Sequence, residues 1–367
     1  MADLKRLPFK SLTVIPPQEK DFCDIAGQDG REALFGTLKA AMDADPDYDT
    51  EDRVVSDYYT VQDMRESARR YISGVISVPS GYTELDNYTM GYPESGIVLI
   101  GGLPSMGKSI FLRDVMYHQT TLGRRVMLFS PDQSAQAIYT LLASKISGIP
   151  AWRLQKKAFT EQMLGRFGSP EAIVRHWGSV FDHVVVDLSE RFRVSEESEV
   201  AEIKRQVRSA LDEGFSFFGG DYIQIFEPED SNGREIDGKA IKDLKKEVHK
   251  WGVPFLLAIQ LAKSKFPPDR LDGIPQVTDI EGHGRYHQAA EQIYMLYNHE
   301  IYWNEYVRTE KAAPLDFSND TGKVRVYVRK NKTGPIGAWR YLEWDKELVT
   351  FRNMGEGSMT KKVSALG

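Results

Sequence analysis

Beyond Pro79 the chain alternates short apolar runs with polar segments whose hydrophobic residues recur at helical spacing. Strands are predicted at IVLIGG (97–102), VMLFS (126–130), HVVVD (183–187), FSFFGGD (215–221), FLLAIQ (255–260), IYMLY (293–297) and VRVYV (324–328), with helices between them. Such alternation is the signature of an α/β fold, a sheet covered by helices on both faces. A helix is expected near 195–213, with Ser195 as cap, Val200, Ile203, Val207 and Leu211 on one face, and Gly214 as stop. Another, near 169–179, opens with Ser169 and Pro170. Upstream, Val55, Tyr58, Tyr59, Ala68, Tyr71, Ile72 and Val75 give an otherwise charged segment one apolar helical face, which predicts a linker helix over 54–78. Residues 1–53 mix prolines, glycines and the acidic run DADPDYDTED around one short helical pattern, Leu34 to Met42, and read as an arm or small helical appendage. The expected division is therefore arm 1–53, linker 54–78, main domain 79–355 and flexible tail 356–367.

The strongest local signal lies where the first strand of the main domain ends. Gly102-Leu-Pro104-Ser105-Met106-Gly107-Lys108-Ser109 matches GxxxxGK[ST], follows an apolar strand and opens the helix SIFLRDVMYHQTTLG at Ser109 and Ile110. Glycines let backbone N–H groups curl around a polyphosphate, the helix start adds positive potential, Lys108 neutralises charge and the Ser109 hydroxyl suits Mg²⁺. ATP or GTP binding with Mg²⁺ follows. Such a site needs a second acid at a strand end to support the metal. Asp187 and Asp221 both qualify, and pattern favours Asp221 only by its longer separation from the glycine turn and the apolar continuation DYIQIF.

Composition narrows the class. At 367 residues the chain is long enough for one large domain plus a smaller part, and 41% hydrophobic with 27% charged residues is ordinary for a globular protein. No run approaches the roughly 18 apolar residues of a membrane span, no secretory signal is evident, and Cys23 has no intrachain partner, so a reducing cytoplasm is expected. A net charge of −6 argues against coating nucleic acid through bulk positive charge. One local exception is 321–340, where Lys323, Arg325, Arg329, Lys330, Lys332 and Arg340 occur without an acid; it reads either as a phosphate-attracting segment or as a solvated edge hairpin.

Several ordered blocks together resemble the DnaB-type replicative helicases, the hexameric RecA-fold motors of bacteria and their phages. Ser80-Gly81-Tyr82-Thr-Glu-Leu85-Asp86, closing at Gly91, looks like the family's TGFxxLDxxxxG opening, and Pro104 to Lys108 match its PSMGK. Asp221-Tyr222-Ile223-Gln224 resembles its DYLQ block, which decides the metal acid for Asp221. Val253-Pro254 through Gln260-Leu261 resembles VPxxxxxQL, whose glutamine senses the γ-phosphate, and Lys330-Asn-Lys332-Thr-Gly334-Pro335-Ile-Gly337 resembles the KxRxGPxG hairpin that reaches the adjacent subunit. The resemblance implies a RecA-like fold with a mainly parallel sheet, ATP hydrolysis at subunit interfaces, translocation on single-stranded DNA as a homo-hexamer, and a primase and a helicase loader as partners. A short N-terminal part suggests a phage-type member.

Three departures qualify the likeness. Where the family has FSLEMS, this chain has Phe129-Ser130-Pro131-Asp132-Gln133-Ser134; as water-activating base Asp132 falls short of glutamate by about one ångström, which predicts slower hydrolysis. Lys332 stands where the family has an arginine finger and lacks its bidentate fork. The family's DLRESG track for DNA reads Asp279-Ile280-Glu281-Gly282-His283-Gly284-Arg285 here, so the arginine is replaced by Glu281, and DNA contact is expected from Arg285 and the amides of Gly282 and Gly284. Arg234, in the turn Ser231–Arg234, marks a second DNA loop. Rival readings are a RecA- or clock-type ATPase that binds without unwinding, and a hydrolysis-poor assembly or loading factor.

Overall fold

The computed structural model of the protein describes residues 54–56, 59–60, 62, 64–66, 68–69, 78–221, 239–261, 270, 272–280, 283–307 and 320–355. Two units are distinguished, residues 1–76 and 77–367. In the first, β1 (Val54–Ser56) pairs antiparallel with β2 (Tyr59–Thr60). The helix expected from Val54 is thus corrected at its start. β-branched and aromatic residues take up strand pairing there, and the helical residues described begin at Gln62. The helical pattern at 34–42 and the tail 356–367 lie outside the described residues.

In the second unit the chain runs through α1 (Thr83–Thr89), β3 (Gly96–Gly102), α2 (Lys108–Thr121), β4 (Arg125–Phe129), α3 (Ala135–Ser147), α4 (Ala151–Lys156), α5 (Glu161–Phe167), α6 (Pro170–His183), β5 (Phe192–Ser195), α7 (Val200–Asp212) and β6 (Phe215–Gly220). It continues through α8 (Lys239–Trp251), β7 (Pro254–Gln260), α9 (His283–Ala289), β8 (Ala290–Tyr297), β9 (Lys323–Asn331), β10 (Trp339–Asp345) and β11 (Thr350–Arg352). One sheet orders the strands of this unit β11-β10-β9-β8-β3-β7-β6-β4-β5. The six from β8 to β5 are parallel, while β9, β10 and β11 extend the sheet antiparallel beyond β8. Parallel interior strands are covered on both faces and so tolerate unbroken apolar runs. Accordingly every residue of β3, GIVLIGG, is buried. Helix α2 approaches β6 so closely that a Cβ on Gly219 would come within 2.5 Å of the Met116 sulfur, which explains the glycine in FSFFGG.

The expected strand HVVVD is instead the end of a helix. α6 continues into a wider turn over Val184–Leu188, burying Val184 and Leu188 and exposing Val185 and Val186. An i, i+4 pair of apolar anchors therefore outweighs the strand preference of three valines. The edge strand is β5, a few residues later. Ser195 ends that strand and donates its hydroxyl to Gln206 rather than capping a helix, and α7 starts at Val200. Ser169 does cap α6, accepting from Ala172 N–H at 3.2 Å. The basic segment 321–340 is not an edge hairpin, since β9 is paired on both sides.

A buried ionic cluster joins α2 to the last strand. Asp114 accepts from the Thr350 hydroxyl at 2.6 Å and the Phe351 N–H at 2.8 Å, and pairs with Lys145 at 3.0 Å and Arg113 at 3.1 Å. Burial alone would raise the Asp114 pKa; Lys145, Arg113 and the two hydrogen bonds outweigh it and hold the carboxyl below its ordinary range. Removing one partner from a buried cluster leaves the others uncompensated. Asp114→Asn is therefore expected to destabilise the domain by about 3–5 kcal/mol near neutral pH, read from urea unfolding. Because the folded carboxyl titrates below its unfolded value, this advantage of wild type holds above the usual carboxylate pKa and shrinks as pH falls through the depressed folded value.

Candidate active site

All the parallel strands end at one edge of the sheet, and there β3 turns into α2. Ser105 and Gly107 adopt left-handed backbone, φ 62° and 92°, alternating with ordinary residues through the turn as anion-binding nests do, and the Met106 N–H donates to the Leu103 carbonyl at 3.4 Å. A side chain at Gly107 is barred twice over: its φ disfavours one, and a Cβ would lie 2.5 Å from the Phe351 ring. Met106 is buried and its sulfur accepts the Asn298 N–H at 3.2 Å, while Pro104 and Ser105 are exposed. Ser109 and Ile110, in the first turn of α2, are half-buried.

Charge is concentrated beneath this turn. Lys108, 8% exposed, donates to the carbonyls of Gly102 at 3.0 Å and Leu103 at 2.9 Å. Burial lowers its pKa to about 8, against the opposing pull of Asp221. Asp221, 6% exposed, follows β6 and donates its N–H to the Phe129 carbonyl at 2.9 Å. Its own pKa is raised by burial; a hydrogen bond from Ser109 and the charge of Lys108 work against that rise, and Asp132 adds to it. Asp132 itself is exposed, in the loop between β4 and α3. Gln260, the last residue of β7, is in register with Gly102. Lys108, Ser109, Asp132, Asp221 and Gln260 therefore meet at one sheet edge. Asp187 does not belong there. It lies exposed on the α6 extension, paired with His183 at 2.5 Å, and ends no strand of the sheet, so it cannot serve as the strand-end acid.

The hairpin lysines sit at the other end of the sheet. Lys332 pairs with Glu291 at 2.7 Å and donates its N–H to the Glu291 carbonyl at 3.1 Å, and the Lys330 ammonium donates to the His287 carbonyl. Glu291 adjoins Ala290, which pairs with Ile97 near the start of β3. Five residue steps separate Ile97 from Gly102, about 17 Å of strand. The remaining cations of 321–340 are engaged within the fold: Arg325 with Asp320 at 2.5 Å, Arg329 with the Pro275 carbonyl at 2.8 Å, Lys323 over the Tyr341 ring and Arg340 over Tyr88. Gly284 and Arg285 are on helix α9 rather than in a loop, Gly284 exposed and Arg285 half-buried. Gly282 and Arg234 lie outside the described residues.

The family model for the DnaB-like helicase C-terminal domain matches residues 77–353. The chain belongs to that family. This DnaB-like chain is 24% identical over 288 residues to the replicative DNA helicase DnaB of Geobacillus stearothermophilus and 25% identical over 295 residues to that of Haemophilus influenzae, covering 76% and 77% of its own length. It spans 57% of each of those relatives. Among solved structures, the ATPase domain of a phage DnaB-like helicase superposes with a TM-score of 0.64 at 24% identity, covering 81% of this chain and all of that one. A DnaB-like replicative helicase, solved in a study of its interactions with primase, gives 0.62 at 22% identity over 91% of this chain and 74% of that one. These likenesses establish the RecA-like fold with its mainly parallel, helix-flanked sheet.

In this DnaB-like site the Ser109 hydroxyl and the buried Asp221 carboxylate are hard oxygen donors in hydrogen-bonded contact, a pair that fits Mg²⁺. Sequence reasoning missed Phe351, which backs Gly107, and Asn353, which accepts the Thr83 N–H at 2.7 Å and donates to the Gly81 carbonyl at 3.1 Å. Neither carries a chemical signature, and their partners lie at the far end of the domain in the chain. A lysine that titrates near 8 binds a polyphosphate only after protonation. Affinity for a non-hydrolysable ATP analogue is therefore expected to fall above pH 8, by up to about tenfold per pH unit. Lys108→Met should weaken binding and remove that slope; an unchanged slope in the variant, measured by fluorescence titration, would assign it to another group.

Proposed function

We propose that residues 79–355 are the ATP-hydrolysing motor of a replicative DNA helicase that encircles single-stranded DNA as a ring, six copies by analogy with the family. One observation carries the reading. Lys108, Ser109 and Asp221 converge at one sheet edge, whereas Lys330 and Lys332 are held at the opposite edge, about 17 Å of strand away, by His287 and Glu291. In a subunit so built the hairpin lysines lie out of reach of its own phosphate turn, which supports a hairpin that serves the neighbour's nucleotide. That polarity supports a head-to-tail assembly, which forms a ring where the rotation from subunit to subunit closes.

On this reading Lys108 and the turn Gly102 to Gly107, through its N–H groups other than at Pro104, which has none, seat the triphosphate, and Ser109 and Asp221 hold Mg²⁺. When bound, the metal neutralises phosphate charge. Asp132 orients the attacking water, Gln260 at the end of β7 reports the γ-phosphate to the sheet, and Lys332 and Lys330 of the neighbour offset charge developing in the transition state. Arg285 and Gly284 on α9, with Arg234 and Gly282, contact the DNA backbone. Residues 1–53 form the arm and those following it the connection to the motor. Primase and loader are the partners this reading expects, and the cytoplasm is its compartment. No helix among the described residues is long and apolar enough to cross a membrane.

Lys332→Ala is expected to keep nucleotide affinity and to lose about a hundredfold or more in hydrolysis, and Lys108→Ala to lose nucleotide binding and forked-duplex unwinding together. Mixing the two variants is decisive. A Lys108→Ala subunit can donate its intact Lys332 to the intact nucleotide site of a Lys332→Ala neighbour, so mixed rings should regain ATPase activity. Failure to regain any turnover, with mixed assembly verified, would rule out the shared site. ATP turnover without strand separation in wild type would select the recombinase-like alternative.

A further inference from the structure

Helix α8 is amphipathic in a way the motor reading does not use. Ile241, Leu244 and Val248 are buried, which turns Lys242, Lys245 and Lys246 to the flank facing α9. Between the two helices is an open cleft of about 500 Å³ lined by Lys242, Lys245 and Lys246 from α8 and by Arg285 and Gln288 from α9, with Asp243 as its one carboxylate. Lys245 bridges the two walls, donating to the Gln288 carbonyl at 2.9 Å. Four cations against one acid make a concentrated positive site in a chain whose net charge is −6.

We propose that this α8–α9 cleft seats the phosphate backbone of single-stranded nucleic acid. The inference deepens the motor reading above and rests on it. The lining is all charged, amide or small, with no aromatic ring on which a base could stack, so the cleft suits phosphate and sugar and reads no sequence. Its placement also fits. Arg234 precedes α8 by five residues and Gly282 immediately precedes α9, so both stretches assigned to DNA lead directly into the walls of the cleft. Glu281 replaces a family arginine with a negative charge. Lys242 and Lys246, exposed and one helical turn apart, supply positive charge on the wall opposite α9.

The test uses the full chain and a fluorescein-labelled oligo(dT), with anisotropy measured across a salt series in the presence of a non-hydrolysable ATP analogue. Lys242→Ala/Lys246→Ala should bind about tenfold more weakly at ~0.1 M salt, and the slope of log affinity against log salt should fall by about 0.7 for each lysine removed. Lys242→Arg/Lys246→Arg should restore both. Thermal unfolding of each variant checks that the fold is kept. If wild type binds the oligonucleotide and the alanine pair binds with the same affinity and slope, the cleft proposal fails while the motor reading stands. If the alanine pair instead loses affinity for the ATP analogue and keeps its hold on the oligonucleotide, the cleft is a nucleotide site and the proposal also fails. If wild type binds no single strand in any nucleotide state, the motor reading itself falls, and the cleft proposal with it.

Discussion

The glycine turn between β3 and α2 keeps its shape because the far end of the chain is pressed against it. Phe351 occupies the space that any side chain at Gly107 would need, and Phe351 is in turn held by Asp114, about two helical turns further along α2. Lys145 and Arg113 make that carboxylate permanently charged at physiological pH, so the grip on β11 does not relax with small changes in acidity. Asn353 closes the same loop by clamping the Gly81–Thr83 backbone. A phosphate-sized concavity at the sheet edge thus depends on buried electrostatics behind it as much as on the glycines that outline it.

The same edge gathers charges of opposite sign in a poorly hydrated space. Burial disfavours the charged form of both Lys108 and Asp221, and each eases the other's cost through their mutual attraction. A ligand bringing both negative phosphate and a divalent cation would relieve both penalties at once, which favours binding of the pair over either alone. Asp132, exposed and coupled to Asp221 only through its field, stands outside that compact arrangement, on the solvent side of the site.

How far the sequence alone led differs from element to element. Strands β3, β6, β7 and β8 were legible because interior parallel strands are written as unbroken apolar runs, and the glycine-lysine turn was legible because its spacing is dictated by backbone geometry. HVVVD misled for a physical reason: three valines say strand locally, but Val184 and Leu188 complete an apolar stripe begun upstream on α6, and tertiary burial decided. Ser195 misled because a serine ahead of a helical pattern looks like a cap whether or not a strand intervenes. Pattern leaned towards Asp221 over Asp187 and family likeness decided between them; in the structure Ser109 hydrogen-bonds to Asp221, while Asp187 pairs with His183. What no pattern displayed were the long-range partnerships, such as Phe351 with Gly107 and Lys332 with Glu291, and the way three lysines of one helix face a neighbouring helix across a cleft.

The antiparallel pairing of β9 with β8 has an implication for how such chains diverge. Asn331 is paired opposite Gln292, and Gln292 also donates to the Gly91 carbonyl, so the hairpin tip is anchored to the sheet, with one register shift in the ladder between Ile293 and Tyr294. Adding two residues to either strand would carry Lys332 about 7 Å along the strand axis, outside the reach of any fixed target. On the proposed role of Lys332 in the neighbour's site, the β8–β9 pairing thus sets how far the hairpin lysines project, and length changes in the connections outside these strands leave that projection unaltered.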